Sequence, residues 1–118
     1  MKLVITGRLD GLNQYTLACR GNRYGGNQVK QRNQAVVISE ILRQKLTPLN
    51  KFPCKLSIKW YEPNLRRDID NITFGVKFIL DALVESGIIP DDSQKFVNQI
   101  EHQVLLDRKN PRIEVEVR

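Results

Sequence analysis

The stretch CKLSIKWY, residues 54–61, alternates apolar and polar side chains without a break. Leu56, Ile58 and Trp60 fall on one side of an extended chain, and the intervening polar residues fall on the other. Alternation with a period of two predicts a strand that has one face in the core and the other in solvent. The stretch therefore predicts a sheet with one covered face.

Helical and extended patterns precede this strand. LVI at 3–5 predicts a first strand. Residues 10–27 contain four glycines and three asparagines, and this composition predicts a long irregular loop. Apolar residues then recur at helical spacing from Gln28 to Leu46, and Pro48 is expected to help end that helix.

Further elements follow the alternating strand. Residues 71–86, closed by Gly87, predict a second helix, and residues 96–106 and 113–117 predict two more strands. The order β-α-β-α-β-β predicts an α+β fold in which two helices pack on one mixed β-sheet. With no repeat or linker in the sequence, residues 1–118 are expected to form a single domain.

The charge of the chain is unevenly distributed. Residues 1–67 carry 13 Lys or Arg against 3 acids, a net charge of +10, and residues 68–118 carry 6 against 10, a net charge of −4; together these give the overall +6. A strongly basic segment of this kind favours a polyanionic partner, nucleic acid above all. A solvated basic surface without a partner is the alternative.

No apolar run approaches the ~20 residues that a membrane span requires, and the first residues lack the apolar core of a signal peptide. The two cysteines form neither a redox motif nor a metal-ligand pattern. We therefore expect a cytoplasmic protein with no membrane partner.

The stretch RRDIDN, residues 66–71, places two arginines directly before two aspartates that lie one residue apart. A solvated turn in which Asp70 caps the second helix is one interpretation, because a carboxylate at an N-cap stabilises a helix by roughly 0.5–2 kcal/mol. On a helical wheel Asp70 shares its face with Lys77 and Asp81, opposite the apolar face. This polar face is a candidate site.

A second acidic turn follows the helix, with Asp91 and Asp92 adjacent. A return of the chain from the helix would bring these acids near Asp68 and Asp70, where they would repel unless a hard cation lay among them. Mg²⁺ prefers such oxygen ligands and leaves room for water and phosphate. Metal-dependent phosphoryl chemistry is then the second interpretation.

Basic residues would complete such a site. Lys77 could neutralise charge that develops on a phosphate, and Arg66 and Arg67 could bind neighbouring phosphates. Arg20 and Arg23 lie in the predicted loop, where contact with DNA phosphates and a mobile loop without a ligand remain alternatives.

Several motifs together resemble the RusA-like Holliday-junction resolvases of phages and prophages. They are RRDIDN, KFILDAL at 77–83, GIIPDDSQ at 87–94 and the Asn- and Tyr-containing segment at 11–27. The resemblance spans nearly the whole chain. It implies a small homodimeric α+β endonuclease that uses Mg²⁺, with Mn²⁺ as a substitute, to cut four-way DNA junctions by paired symmetric nicks.

The resemblance also implies residue roles. Asp68 and Asp70 match the paired acids, Lys77 matches the essential lysine, and Asp92 matches the second acid of the DD turn; only the resemblance favours Asp92 over Asp91. Catalysis is thus expected from Asp68, Asp70, Lys77 and Asp92, with the three acids holding the metal. Asp81 is expected to orient Lys77 through an i, i+4 pair.

The sequence departs from the family pattern in one place. About three extra residues, within ITFGV at 72–76, separate the paired acids from Lys77, which rotates the lysine by roughly 60° on a helix. Two other functions stay open. One is a non-catalytic basic DNA-binding protein whose acids only cap a helix, and the other is a nucleotidyl-transfer enzyme, although no glycine-rich nucleotide-binding motif is present.

Overall fold

A computed structural model describes residues 1–118. Its strands are β1 (Lys2–Thr6), β2 (Cys54–Glu62), β3 (Val97–Leu106) and β4 (Arg112–Val117). Its helices are α1 (Leu12–Gly21), α2 (Gly25–Arg43), α3 (Ile69–Thr73) and α4 (Val76–Glu85). The predicted α+β class is confirmed. No helix combines the length and the apolar character needed to cross a membrane.

The four strands form one mixed sheet in the order β1-β4-β2-β3. β4 pairs antiparallel with both β1 and β2, whereas β3 runs parallel to β2. Parallel neighbours need a crossover connection, and here α3 and α4 supply it. Strands β1 and β3 therefore lie at the two edges of the sheet, and β4 and β2 are its two central strands.

The helices cover one face of the sheet. The predicted inward residues of β2, namely Leu56, Ile58 and Trp60, are buried as expected. They belong to a core cluster that also contains residues of the other strands and of α2 and α4, among them Leu3, Ile5, Ile113, Val115, Val37, Ile41, Phe78, Ile79 and Leu83. The opposite face carries the polar residues that alternate with these.

The prediction of an irregular loop at 10–27 is wrong, because α1 occupies most of this segment. The glycines serve close packing between helices rather than loop flexibility. A Cβ atom on Gly25 would lie 2.0 Å from the Ala18 carbonyl oxygen, and one on Gly26 would lie 2.4 Å from Cys19 Sγ. Both distances are shorter than any real contact, so only glycine lets α1 and α2 approach in this way.

The helix predicted at 71–86 is interrupted, so the structure has four helices where the sequence predicted two. Between α3 and α4 the amides of Lys77 and Phe78 donate to the carbonyls of Phe74 and Gly75, three residues back, in a tightened turn. Gly75 packs on the Trp60 ring, which would lie 3.1 Å from an added Cβ. The extra residues of ITFGV are accommodated here.

Helix α2 ends before the predicted boundary at Leu46. Lys45 adopts a left-handed conformation with φ of 56°, and the Leu46 amide donates to the Ile41 carbonyl at 3.2 Å. This pattern is a Schellman motif, in which the left-handed position usually belongs to glycine. The backbone turn at Lys45, rather than Pro48, terminates the helix.

Lys45→Gly is expected to stabilise the protein by about 1 kcal/mol, because glycine adopts the left-handed region without the steric cost that a Cβ imposes. Urea unfolding monitored by circular dichroism measures the change. Lys51→Gly serves as the control and should give no stabilisation. It is the same substitution at an exposed lysine that does not have a positive φ. Equal effects of the two substitutions would contradict the assignment.

Candidate active site

A buried carboxylate lies at the end of β2. Glu62 is 4% exposed. Arg67 donates to it from Nε at 3.1 Å and from Nη2 at 2.9 Å, and Arg8 donates from Nη2 at 3.0 Å. A buried charge is tolerated only when it is paired and hydrogen-bonded, and a two-pronged guanidinium–carboxylate contact is the strongest such pair. These ion pairs hold the segment that follows β2 against the end of the sheet.

Arg67 also reaches the N-terminal segment. Its Nη1 donates to the Leu9 carbonyl at 3.1 Å, and its side chain is only 13% exposed. All three nitrogen positions of the guanidinium are therefore engaged within the protein. In this arrangement Arg67 positions the residues that follow it, and contact of Arg67 with DNA stays a prediction.

A second tie joins the N-terminal segment to the RRDIDN stretch. Asn71 is 8% exposed, and its Oδ1 accepts a hydrogen bond of 2.9 Å from the Asn13 amide at the start of α1. A Cβ atom on Gly11 would lie 2.4 Å from the same oxygen. The close approach of these two segments therefore requires glycine at position 11.

Asp10 connects this region to α2. Its carboxylate accepts from Arg32 Nη2 at 2.7 Å and from Asn33 Nδ2 at 2.8 Å, and Asn33 Oδ1 accepts from the Asp10 amide at 2.9 Å. Burial alone would raise the pKa of Asp10, but the hydrogen bonds from Arg32 and Asn33 outweigh it and lower the pKa below its usual value. Asp10 is thus an ionised structural acid.

The predicted acids Asp68 and Asp70 lie at the start of α3, and both are exposed. The placement of Asp70 at the N-cap is wrong, because Asp68 is the N-cap and Asp70 is the second residue of the helix. Asp68 makes no side-chain capping hydrogen bond, whereas Asp70 Oδ1 accepts from the Asn71 amide at 2.9 Å. The Asp68 carboxylate is therefore free to bind another group.

Lys77 lies in the first turn of α4 with its side chain 51% exposed. Its Nζ is 3.2 Å from Asp81 Oδ1, which confirms the predicted i, i+4 pair. Lys30 Nζ approaches the other oxygen of Asp81 at 3.3 Å, a contact that the sequence did not predict. Asp81 thus holds two lysines from different helices at one surface.

An open groove of about 340 Å³ runs past this lysine pair. Its lining includes Lys77, Asp81, Asp91 and Asp92, so the DD turn reaches back along α4 to Lys77. Neither Asp91 nor Asp92 has a side-chain hydrogen bond or ion pair in the structure. Two unpaired carboxylates and two lysines therefore face one groove.

Asp68 and Asp70 do not line that groove, and no group of three or more His, Cys, Asp or Glu side chains is arranged to hold a metal ion. The topology explains the separation. Because β3 is parallel to β2, Val97 at its start lies beside Cys54, whereas the paired acids follow the other end of β2. The ten-residue helix α4, about 15 Å long, runs between the two acidic segments.

The remaining predicted DNA contacts are exposed. Arg66 lies in the turn after β2, Arg20 lies in the last turn of α1, and Arg23 lies between the helices with its guanidinium 5.5 Å from the centre of the Tyr24 ring. The structure neither joins these arginines to the groove nor pairs them with acids. Their contact with DNA stays a prediction.

Sequence reasoning missed Glu62, although the signal was present. Glu62 continues the inward positions of β2 in steps of two from Leu56, Ile58 and Trp60. A charged residue at an inward position requires a buried cation, and the adjacent arginines were the candidates. The contact from Lys30 to Asp81 had no such signal, because it depends on how α2 packs on α4.

Residues 23–118 match the family model described as endodeoxyribonuclease RusA. The chain belongs to the endodeoxyribonuclease RusA family. This confirms the resemblance, and RusA membership indicates an endonuclease that acts on Holliday junctions. No curated protein is significantly similar to the chain. The matched region contains every predicted catalytic residue, whereas Arg8, Leu9 and Asn13, which support the RRDIDN stretch, lie before it.

Glu62→Gln is expected to destabilise this RusA family member by roughly 3 kcal/mol, because it removes the charge that compensates two partly buried arginines. Equilibrium urea unfolding measures the loss. Glu40→Gln is a matched control, since Arg43 contacts Glu40 with the same two-pronged geometry while the Arg43 side chain is 65% exposed. The control should lose far less, and similar losses at both positions would contradict a special role for the buried pair.

Proposed function

We propose that the protein resolves Holliday junctions by magnesium-dependent, paired symmetric nicks in DNA. The observation that supports this most directly is the Asp68 carboxylate, which lies at an exposed helix start, follows a buried ion-pair anchor and makes no capping bond. A carboxylate that merely capped the helix would bond to the α3 amides. Asp70 does accept from an α3 amide, so the alternative in which both acids only cap the helix fails to account for Asp68 alone.

Mg²⁺ would be held by Asp68, Asp70 and Asp92, with Asp91 as the alternative to Asp92. Carboxylate oxygens are the donors that this ion prefers, and one or two of them suffice when water and a substrate phosphate complete the shell. The acids of the chain fit the ion in kind, but Asp92 lies in the groove apart from Asp68 and Asp70, so it would join an ion held by them only when the chain or a second copy brings it there. Bound Mg²⁺, or Mn²⁺ in its place, activates a water and stabilises the leaving oxygen of a phosphodiester.

Lys77 would act on the phosphate. Asp81 holds the Lys77 ammonium at the groove, and about half of the Lys77 side chain is exposed to solvent. A phosphate oxygen can therefore reach the ammonium without displacing any buried side chain. Its positive charge would be worth most as negative charge develops on the phosphate. Lys30, paired with the same carboxylate, would add to the positive potential there.

DNA affinity would come mainly from the basic N-terminal region. Residues 1–67 carry a net charge of +10, and Arg66, Arg20 and Arg23 are exposed within it. Arg67 would contribute by keeping the acids in place. Phosphate contacts fix the position of a protein on DNA without reading its sequence, which suits recognition of a junction by its shape.

Asp68→Asn, Asp70→Asn and Asp92→Asn should each reduce cleavage of a synthetic four-way junction at least about 100-fold, because each removes an anionic metal ligand. Junction binding in a gel-shift assay should be unchanged or tighter, since a negative charge near phosphate is lost. Glu116→Gln, at an exposed acid on the face of the sheet opposite the helices, should cleave normally. Wild-type cleavage by Asp68→Asn would refute the site.

Lys77→Ala should lower the single-turnover cleavage rate by about 100-fold or more while changing junction affinity only modestly, because the lysine acts where phosphate charge develops. Lys109→Ala, at an exposed lysine away from the groove, is the matched control for loss of one positive charge. If affinity and rate fell by the same factor, Lys77 would be a simple phosphate contact.

The working unit is proposed to be a homodimer, because one chain has one set of catalytic acids and two symmetric nicks need two. Apolar residues in the two strands nearest the chain ends are candidates for that interface, namely Val4, Ile5, Val115 and Val117. Three of these are excluded, since Ile5, Val115 and Val117 are buried inside the chain's own core. Val4 is only partly buried, but its backbone N–H and C=O are bonded to Gln44, so a second copy cannot extend the sheet at that residue.

A further inference from the structure

The two edges of the sheet differ. β1 has five residues, and at its middle the Gln44 side chain accepts from the Val4 amide at 3.0 Å and donates to the Val4 carbonyl at 2.6 Å. This side chain occupies backbone groups that a further strand would need. The β1 edge is thus both short and closed.

β3 has ten residues and an open edge. It pairs only with β2, and outside that ladder no backbone group between Asn98 and Leu106 bonds to another part of the chain. Among its residues only Glu101 is charged at neutral pH, and none is proline, lysine or arginine. Soluble proteins usually protect such an edge with lysine, proline or a covering element. A long unprotected edge indicates a partner strand.

We propose that β3 is the interface between two copies of this chain, which pair their β3 strands antiparallel across a two-fold axis. A two-fold axis perpendicular to the sheet joins the two sheets into one of eight strands. It leaves both helical layers on the same side. Both candidate sites then face one DNA molecule, as the proposed paired nicking requires; this argument for a second copy rests on the proposed function.

The side chains of β3 favour one register, in which His102 lies on the two-fold axis. Ile100 then meets Val104 of the second copy on the helical side, and both are only partly buried in the single chain. On the other side Glu101 meets Gln103 of the second copy, an acceptor opposite an amide donor. A register centred on Glu101 would instead place two carboxylates opposite each other, which is unfavourable.

The central histidine is suited to this position. Trp60 Nε1 donates to His102 Nδ1 at 3.0 Å, which leaves the ring proton on Nε2. Burial lowers the pKa of His102, so that the ring is neutral at pH 7. Two neutral rings can meet at a symmetry axis without repulsion.

Opposite charges at position 103 test the register. In the dimer each residue 103 lies opposite Glu101 of the other copy, so there are two such pairs. Gln103→Glu would make both pairs repulsive, and Gln103→Lys would make both attractive. The dimer Kd, measured by sedimentation equilibrium without DNA, should rise roughly 2- to 30-fold for Gln103→Glu and fall for Gln103→Lys. Within one chain Gln103 lies beside Lys59, so stability against unfolding should change in the reverse order.

The reversed order separates the interface from folding. Equal dimer Kd values for both variants, or a monomeric wild-type protein at micromolar concentration, would overturn the proposal. A wild-type dimer that responds as expected but does not cut junctions would instead refute the proposed function alone. The two failures are therefore distinguishable.

Disulfide trapping gives a second, independent test. In a Cys19→Ser background, His102→Cys should form a covalent dimer under mild oxidation, because the two thiols would lie opposite each other. Asn98→Cys, on the same strand and equally exposed, should not, since in this register the two positions lie about 26 Å apart at 3.3 Å per residue. Equal trapping at both positions would contradict the pairing.

Discussion

The contact between Glu62 and Arg67 is the constraint on which the candidate site depends. It is a two-pronged ion pair at the end of β2, and Arg67 directly precedes Asp68 in the chain. Two exposed carboxylates that repel each other would otherwise favour a mobile turn. A buried ion pair has little conformational freedom, so it holds the two acids in a fixed position relative to the sheet. The pair also carries a desolvation cost that a hydrophobic pair would not have.

The sequence predicted those parts of the fold that depend on local periodicity. Alternation in β2 identified its buried face correctly, and Gly87 ends α4 in the left-handed conformation as expected. Helix α1 was not predicted because a glycine-rich composition is typical of flexible loops. In the fold, however, the glycines at positions 11, 25 and 26 leave space for neighbouring atoms that a Cβ would displace. What a glycine contacts is a tertiary property that a single sequence does not contain.

Local contacts of the candidate site were easier to predict than its assembly. The pair of Lys77 with Asp81 followed from helical spacing and is present. The gathering of Asp68, Asp70 and Asp92 depended on the path of the chain between β2 and β3, and the parallel pairing of these strands separates the acids. Electrostatic repulsion also favours this separation, because three carboxylates close together without a cation repel one another. Bound metal and phosphate would supply the missing attraction.

We propose that Arg67 stays on Glu62 and positions the paired acids when DNA binds, and the DNA contact predicted for Arg67 from the sequence is the competing outcome. A crystal structure of the chain with a four-way junction and Ca²⁺, which binds carboxylates as Mg²⁺ does but as a larger ion, tests it most directly. We expect metal on Asp68 and Asp70 with Arg67 still on Glu62. Arg67 released from Glu62 onto a phosphate, or metal bound away from Asp68, would contradict it.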